Sequence, residues 1–126
     1  MLAVDPDLPG DLQDVVGDSL RVVATHAQHD YAFHFQREDI RAGYTDDEFQ
    51  RIFDDLVLEG MERQHFEGLF HVGQLECGAW GFEEAAVFYF PSMEYSGLVV
   101  SVDRDGPIDL DGLIEVCTAG IVDGDA

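Results

Sequence analysis

The sequence predicts an α+β domain in which three helices pack on a sheet of about five mainly antiparallel strands. Three observations support this class. Three stretches repeat apolar residues at helical spacing. Several short segments alternate apolar with polar residues or are continuously apolar, as strands do. The length of 126 residues suits one domain over 1–126, with 1–10 and 122–126 frayed because they are short, polar and terminal.

The first predicted helix spans residues 11–27. Its apolar residues recur at helical spacing and its acids take the opposite face: Leu12, Val15, Val16, Leu20, Val23 and Ala27 against Asp11, Asp14 and Asp18. A strand is predicted over 31–36, where YAFHFQ places Tyr31, Phe33 and Phe35 on one face. A second, short strand is predicted over 39–44.

The second predicted helix begins at Thr45. Thr45 and Glu48 have the spacing of a capping box, in which each side chain accepts a hydrogen bond from the other residue's amide. The buried stripe that follows is Phe49, Ile52, Phe53, Leu56 and Val57. Gly60 is a natural end for this helix, and residues 62–70 are predicted to be a connector.

Three more strands are predicted over 71–80, 84–90 and 96–103. The middle one is apolar on both faces, which favours a sheet that is covered by layers on both sides. Asp109 can cap a last helix. The predicted order of elements is therefore α-β-β-α-β-β-β-α.

This order resembles that of roadblock/LC7-type domains and, more loosely, that of longin and profilin-like domains, which wrap helices around a five-stranded antiparallel sheet. The resemblance implies a fold and no activity. Three stretches, FQREDIRAGYTDDEFQRIFDDLVLEG, the HVG after Phe70, and GLVVSVD, also carry a resemblance to small uncharacterised haloarchaeal proteins known as domains of unknown function. That resemblance implies a haloarchaeal habitat and a compact chain.

The charge is extreme. The chain has 27 acidic residues and six basic ones, all Arg, for a formal net charge of −21, yet 46% of its residues are hydrophobic. A disordered acidic tail has far fewer apolar residues. Carboxylates at this density repel one another in dilute buffer and are screened in molar salt, where the Debye length is about 3 Å. The composition resembles that of haloarchaeal cytoplasmic proteins, and acids spread along the whole chain favour this interpretation over a nucleic-acid mimic.

Nucleic-acid and membrane partners are not expected. Residues 37–63 contain four Arg but nine acids, so they form no basic footprint. No window approaches the roughly 18–20 apolar residues of a transmembrane helix. The start, MLAVDPDLPGDLQ, lacks the basic and apolar regions of a signal peptide, so a cytoplasmic location is expected. Cys77 and Cys117 are expected to be free thiols, with a disulfide as the alternative.

An enzymatic role and a cofactor are not expected, because no nucleophile elbow, phosphate loop or dinucleotide fingerprint is present. The candidate metal ligands are His26, His29 and His34. His26 and His29 would share one face at the end of the first predicted helix and could bind a divalent metal, which His34 could join if the turn folds back. Histidines at a helix end are also favoured simply by the dipole and the free carbonyls.

The chain is rich in aromatic residues, with nine Phe, four Tyr and one Trp. Five of them fall in predicted loops or strand ends: Phe66, Phe70, Trp80, Phe82 and Tyr95. Exposed aromatic side chains there would mark a protein partner or a second copy of the chain. The alternative is that they cover the open ends of the sheet.

Two functional hypotheses follow. The first is a non-enzymatic interaction or regulatory module that acts as a homodimer or binds another protein. The second is a small metal- or ligand-binding regulatory domain that uses the three histidines.

Overall fold

The fold is built on one five-stranded antiparallel sheet with helices on both faces. The computed structural model describes residues 2–28, 30–92 and 96–122, with residues 57–61 described by their backbone alone. The strands are β1 (Leu20–Ala27), β2 (Asp30–Gln36), β3 (Gly78–Gly81), β4 (Ala85–Pro91) and β5 (Ser96–Asp103). The helices are α1 (Leu8–Val16), α2 (Glu38–Gly43), α3 (Asp46–Met61), α4 (Arg63–Phe70) and α5 (Leu110–Gly120), with a short 3-10 helix at Gly17–Ser19. None of the described helices has both the length and the apolar content needed to cross a bilayer.

The predicted α+β class is confirmed, but the described part of the chain has five α-helices instead of three. The strand order is β2-β1-β5-β4-β3, with every neighbouring pair antiparallel, so β2 and β3 are the edges. Helices α1 and α5 pack on one face, named here the α5 face, and α3 packs on the other, the α3 face. Alternate residues of β5 enter the two cores, as Val100 and Val99 show.

The predicted helix over 11–27 is wrong in its second half. Helix α1 ends at Val16, where Gly17 takes a left-handed φ of 64°. The chain then enters β1, which lies inside the sheet and is largely buried on both faces. A strand in this position has a continuous apolar run, which can match helical spacing by chance. The β-branched Val22 and Val23 favour the extended backbone.

Three other predicted boundaries are also wrong. Residues 39–44, predicted as a strand, fall in and just after α2, which has acids in its first turn and Arg41 in its last, as the helix dipole favours. Residues 62–70, predicted as a connector, contain α4. The predicted strand over 71–80 is much shorter, since β3 begins at Gly78.

The predicted helix caps and the last two predicted strands are confirmed. The Thr45 amide donates to Glu48 Oε1 at 2.8 Å, and the Glu48 amide donates to Thr45 Oγ1 at 3.1 Å, which confirms the capping box. The Asp109 side chain accepts from the Gly112 amide at 3.0 Å at the start of α5. Strands β4 and β5 match their predicted spans closely.

A β-bulge breaks the alternation predicted for β2. Phe33 pairs with Ala24 and Phe35 pairs with the adjacent Val23, so β2 has one residue more than β1 at this point. Phe33 packs against Phe49 of α3, with ring centroids 4.8 Å apart. Phe35 instead packs against the core of the α5 face. The predicted shared face of the β2 aromatics is therefore wrong for Phe35.

The start of the chain packs against the end of α5. Leu2 is buried, and Val4 forms an antiparallel bridge with Ile121. The composition predicts a frayed start, whereas Leu2 is buried and Val4 is partly buried against the core of the α5 face. Residues 123–126 lie outside the described part of the chain.

Candidate functional site

His26 lies on β1 in the core of the α3 face, so its predicted place at a helix end is wrong. The ring is fully buried and stacks on Tyr89, with centroids 5.4 Å apart. Its Nε2 is 2.8 Å from the Tyr89 hydroxyl, and its Nδ1 has no hydrogen-bond partner within the described residues. Burial lowers the pKa of His26 to about 4, because desolvation disfavours the imidazolium. The ring is therefore neutral near pH 7.

The structure does not bring His26 and His34 together. Adjacent residues of a strand point to opposite faces, so the side chain of Thr25 lies on the α5 face and that of His26 on the α3 face. His34 Nε2 is 2.9 Å from Thr25 Oγ1, on the side away from His26. His29 lies outside the described residues. Within the described ranges, no group of three or more His, Cys, Asp or Glu side chains could hold a metal ion.

The two cysteines are free thiols, as predicted. Burial raises the pKa of the Cys77 thiol to about 11 and that of Cys117 to about 12. The thiolate is the nucleophilic form. Neither residue therefore has the environment of a reactive cysteine.

A short exposed surface on α4 is strongly apolar. Nine large apolar side chains are exposed in the described part of the chain, and four of them lie here. Phe66, Leu69 and Phe70 are spaced three and four residues apart and so share one side of the helix, and Val72 follows just beyond. Their exposed fractions are 42%, 60%, 66% and 85%. These four residues are named the α4 patch.

Helix α4 turns its charged side, and not its apolar side, toward the protein. Arg63 donates from Nη1 to the Ser92 carbonyl at 2.8 Å and from Nε to Glu67 at 3.2 Å. Glu67 also accepts from the Leu75 amide at 2.6 Å. A surface helix normally turns its apolar stripe toward the core. An exposed apolar stripe is typical of a surface that contacts another molecule.

The second cluster of exposed apolar side chains lines a groove on the α3 face. The groove has a volume of about 630 Å³ and lies between α3 and the part of the sheet formed by β3 and β4. Its apolar walls include the exposed Tyr44, Ile52 and Phe82, together with the half-buried Trp80. The polar side chains in the lining are Arg21, Asp55, Glu84 and Ser101.

The predicted interaction residues divide between these two surfaces. Phe66 and Phe70 belong to the α4 patch, with ring centroids 6.4 Å apart, and Trp80 and Phe82 line the groove. Tyr95 lies outside the described residues. The sequence therefore indicated aromatic residues of both surfaces without separating them.

The sequence does not single out two other residues of these surfaces. Leu69 falls in a segment that is predicted to be a connector, although its spacing from Phe66 and Phe70 is that of a helix face. Arg21 falls inside a predicted helix. No local pattern indicates that it faces a groove.

Comparison with known protein families identifies one family that matches most of the chain. A family model described as a domain of unknown function (DUF7522) matches residues 7–121. The chain belongs to this family. No curated protein matches it. The matched residues begin one residue before α1 and end one residue after α5, so the DUF7522 domain includes all the strands and helices given above. The family description assigns no activity.

Proposed function

We propose that this DUF7522 domain is a non-enzymatic interaction module that pairs with a second copy of itself through the α4 patch. The orientation of α4 is the observation that carries the proposal. Its Arg63–Glu67 pair is half-buried against the protein, while the α4 patch is exposed. Burying apolar surface contributes roughly 25 cal/mol per Å², so covering this patch would stabilise an assembly.

The charge of the segment favours a second copy as the occupant. Residues 63–75 contain one acid and one arginine, which pair with each other at 3.2 Å, so the segment has no net formal charge. The whole chain carries −21. Two such chains repel, and the repulsion is least where both surfaces are neutral. A basic partner would be attracted to the acidic surfaces instead, and a two-fold axis would place the patch against itself.

The composition supports a working environment of molar salt. In such a medium the Debye length is about 3 Å, so two acidic copies can approach without strong repulsion. We propose that this environment is the cytoplasm of a salt-accumulating archaeon, since the excess of Asp and Glu and the absence of Lys resemble haloarchaeal proteins.

The pairing is expected to be weak. Four exposed side chains offer an interface at or below the roughly 1,200 Å² of weak, transient complexes. In molar KCl, light scattering is expected to give the 14.0 kDa monomer mass in dilute solution. The mass should rise toward twice that value at protein concentrations on the order of 100 μM.

A matched pair of variants tests whether the two copies contact each other through the α4 patch. Leu69→Asp places a carboxylate in the α4 patch and should keep the chain monomeric. Leu110→Asp makes the same change at another exposed leucine, which is 46% exposed at the start of α5, and should dimerise like the wild type. A monomer at every concentration, or equal dimerisation of both variants, would contradict the proposal.

A further inference from the structure

The floor of the α3-face groove includes a row of residues that are paired across three strands. Trp80 of β3 pairs with Val87 of β4, which pairs with Ser101 of β5. Paired residues on one face of a sheet are neighbours, so an aromatic ring and a hydroxyl lie at the two ends of one continuous row. All three residues are in the groove lining.

A bulge in β1 brings Arg21 to the polar end of this floor. Leu20 pairs with Val102 and Val22 pairs with Ser101, which leaves Arg21 as the extra residue. Arg21 Nε donates to Ser101 Oγ at 3.0 Å, and its Nη1 donates to Asp103 Oδ1 at 3.2 Å. The Arg21 charge is therefore already compensated inside the protein. An added anion would have to compete with Asp103.

Two carboxylates of the lining are not compensated in this way. Asp55 on α3 and Glu84 between β3 and β4 have no side-chain hydrogen bond or ion pair with any residue in the described ranges. Arg104 lies beside the same loop, but its Nη1 donates to the Phe82 carbonyl at 2.9 Å. Neither carboxylate is therefore held in an ion pair within the described ranges, and both are exposed to a cation that enters the groove.

Aromatic side chains surround the same space. Tyr44, Trp80 and Phe82 are all in the lining. The face of an aromatic ring attracts an ammonium group, Trp most strongly. The volume of about 630 Å³ falls in the range of small-molecule sites, roughly 300–1,000 Å³.

We propose that this groove binds a small organic cation, with its ammonium group near the carboxylates of Asp55 and Glu84 and its apolar body against Trp80 and Phe82. The hydroxyl of Ser101 accepts from Arg21 and can still donate a hydrogen bond to a polar atom of the ligand. The site is separate from the α4 patch and does not depend on dimerisation.

Trp80 is the only tryptophan of the chain, so its fluorescence reports directly on the groove. The probe is benzyltrimethylammonium, titrated in molar KCl, and the matched anion is 3-phenylpropionate. The cation should produce a saturable change in Trp80 emission and bind at least about tenfold more tightly than the anion. Amide chemical-shift changes should fall on residues 80–87 and near Ser101 and Asp55.

Substitutions distinguish the effect of these two carboxylates on binding from the effect of the overall negative charge of the protein. Asp55→Asn combined with Glu84→Gln should weaken binding of the cation by about tenfold. Glu76→Gln combined with Glu83→Gln removes the same two charges from exposed residues that do not line the groove, and should leave binding unchanged. The proposal is overturned by equal affinity for cation and anion, by equal effects of the variants, by shifts elsewhere, or by the absence of saturable binding.

Discussion

Transfer of the DUF7522 domain from molar KCl to about 0.1 M KCl should lower its melting temperature by roughly 20 °C. The Debye length grows from about 3 to about 10 Å in this transfer, and the −21 charge of the chain then repels itself more in the compact state than in the expanded one. The loss of stability is on the order of 5 kcal/mol. Thermal unfolding followed by circular dichroism at both salt concentrations measures it.

A variant with fewer charges identifies screening as the cause. Replacing six exposed acids by their amides changes the net charge from −21 to −15, and because self-repulsion grows with the square of the charge, the salt effect should fall by about half. The six substitutions are Asp14→Asn, Asp30→Asn, Glu62→Gln, Glu76→Gln, Glu83→Gln and Glu115→Gln, all at exposed positions. A wild-type melting temperature that does not depend on salt, or an equal salt effect in both proteins, would contradict this explanation.

Acidification should destabilise the domain through His26 by about 3 kcal/mol. The pKa of His26 is about 4 in the folded protein, against an ordinary value of 6.5. Below pH 6.5 the unfolded chain therefore binds a proton that the folded chain does not bind until the pH reaches about 4. Each unit of difference corresponds to about 1.4 kcal/mol. The free energy of unfolding is thus unaffected by His26 above pH 6.5 and falls progressively between these two values.

The variant His26→Phe isolates this contribution. Phenylalanine keeps a ring beside Tyr89 and Phe53, which are the ring neighbours of His26, and cannot titrate. Urea unfolding in molar KCl measures the free energy of unfolding at about pH 7 and about pH 4.5. Between these two values, that free energy should fall by roughly 2–3 kcal/mol more in the wild type than in the variant. The carboxylates titrate alike in both proteins, so their effect cancels. Parallel pH profiles of the two proteins would refute the role of His26.

The parts of the fold that the sequence predicts correctly are those with local causes. The capping box of Thr45 and Glu48 and the Asp109 cap of α5 act within one turn of a helix, and both form as predicted. Strand β1 has no comparable cap. Val22 and Val23 favour an extended backbone only weakly, and the place of β1 inside the sheet between β2 and β5 is provided only by the folded chain.

The candidate sites also combine features that have local causes with features that depend on the folded chain. The aromatic residues could be singled out by type and place, and Phe66, Phe70, Trp80 and Phe82 all lie on the two surfaces. The reversed orientation of α4 could not be predicted, because it depends on a contact between Arg63 and the distant Ser92 carbonyl. The groove likewise needs the β1 bulge to bring Arg21 next to Ser101.

Contact between two α4 patches is tested most directly by hydrogen–deuterium exchange in molar KCl at two protein concentrations, one below and one above the dimerisation range. Association should raise the free energy of local opening where the copies meet. Amides of residues 63–72 should therefore exchange more slowly in the concentrated wild-type sample, those of the edge strands β2 and β3 should not change, and Leu69→Asp should show no concentration dependence. Unchanged exchange in α4, or slowing at the edge strands instead, would contradict self-association through this helix.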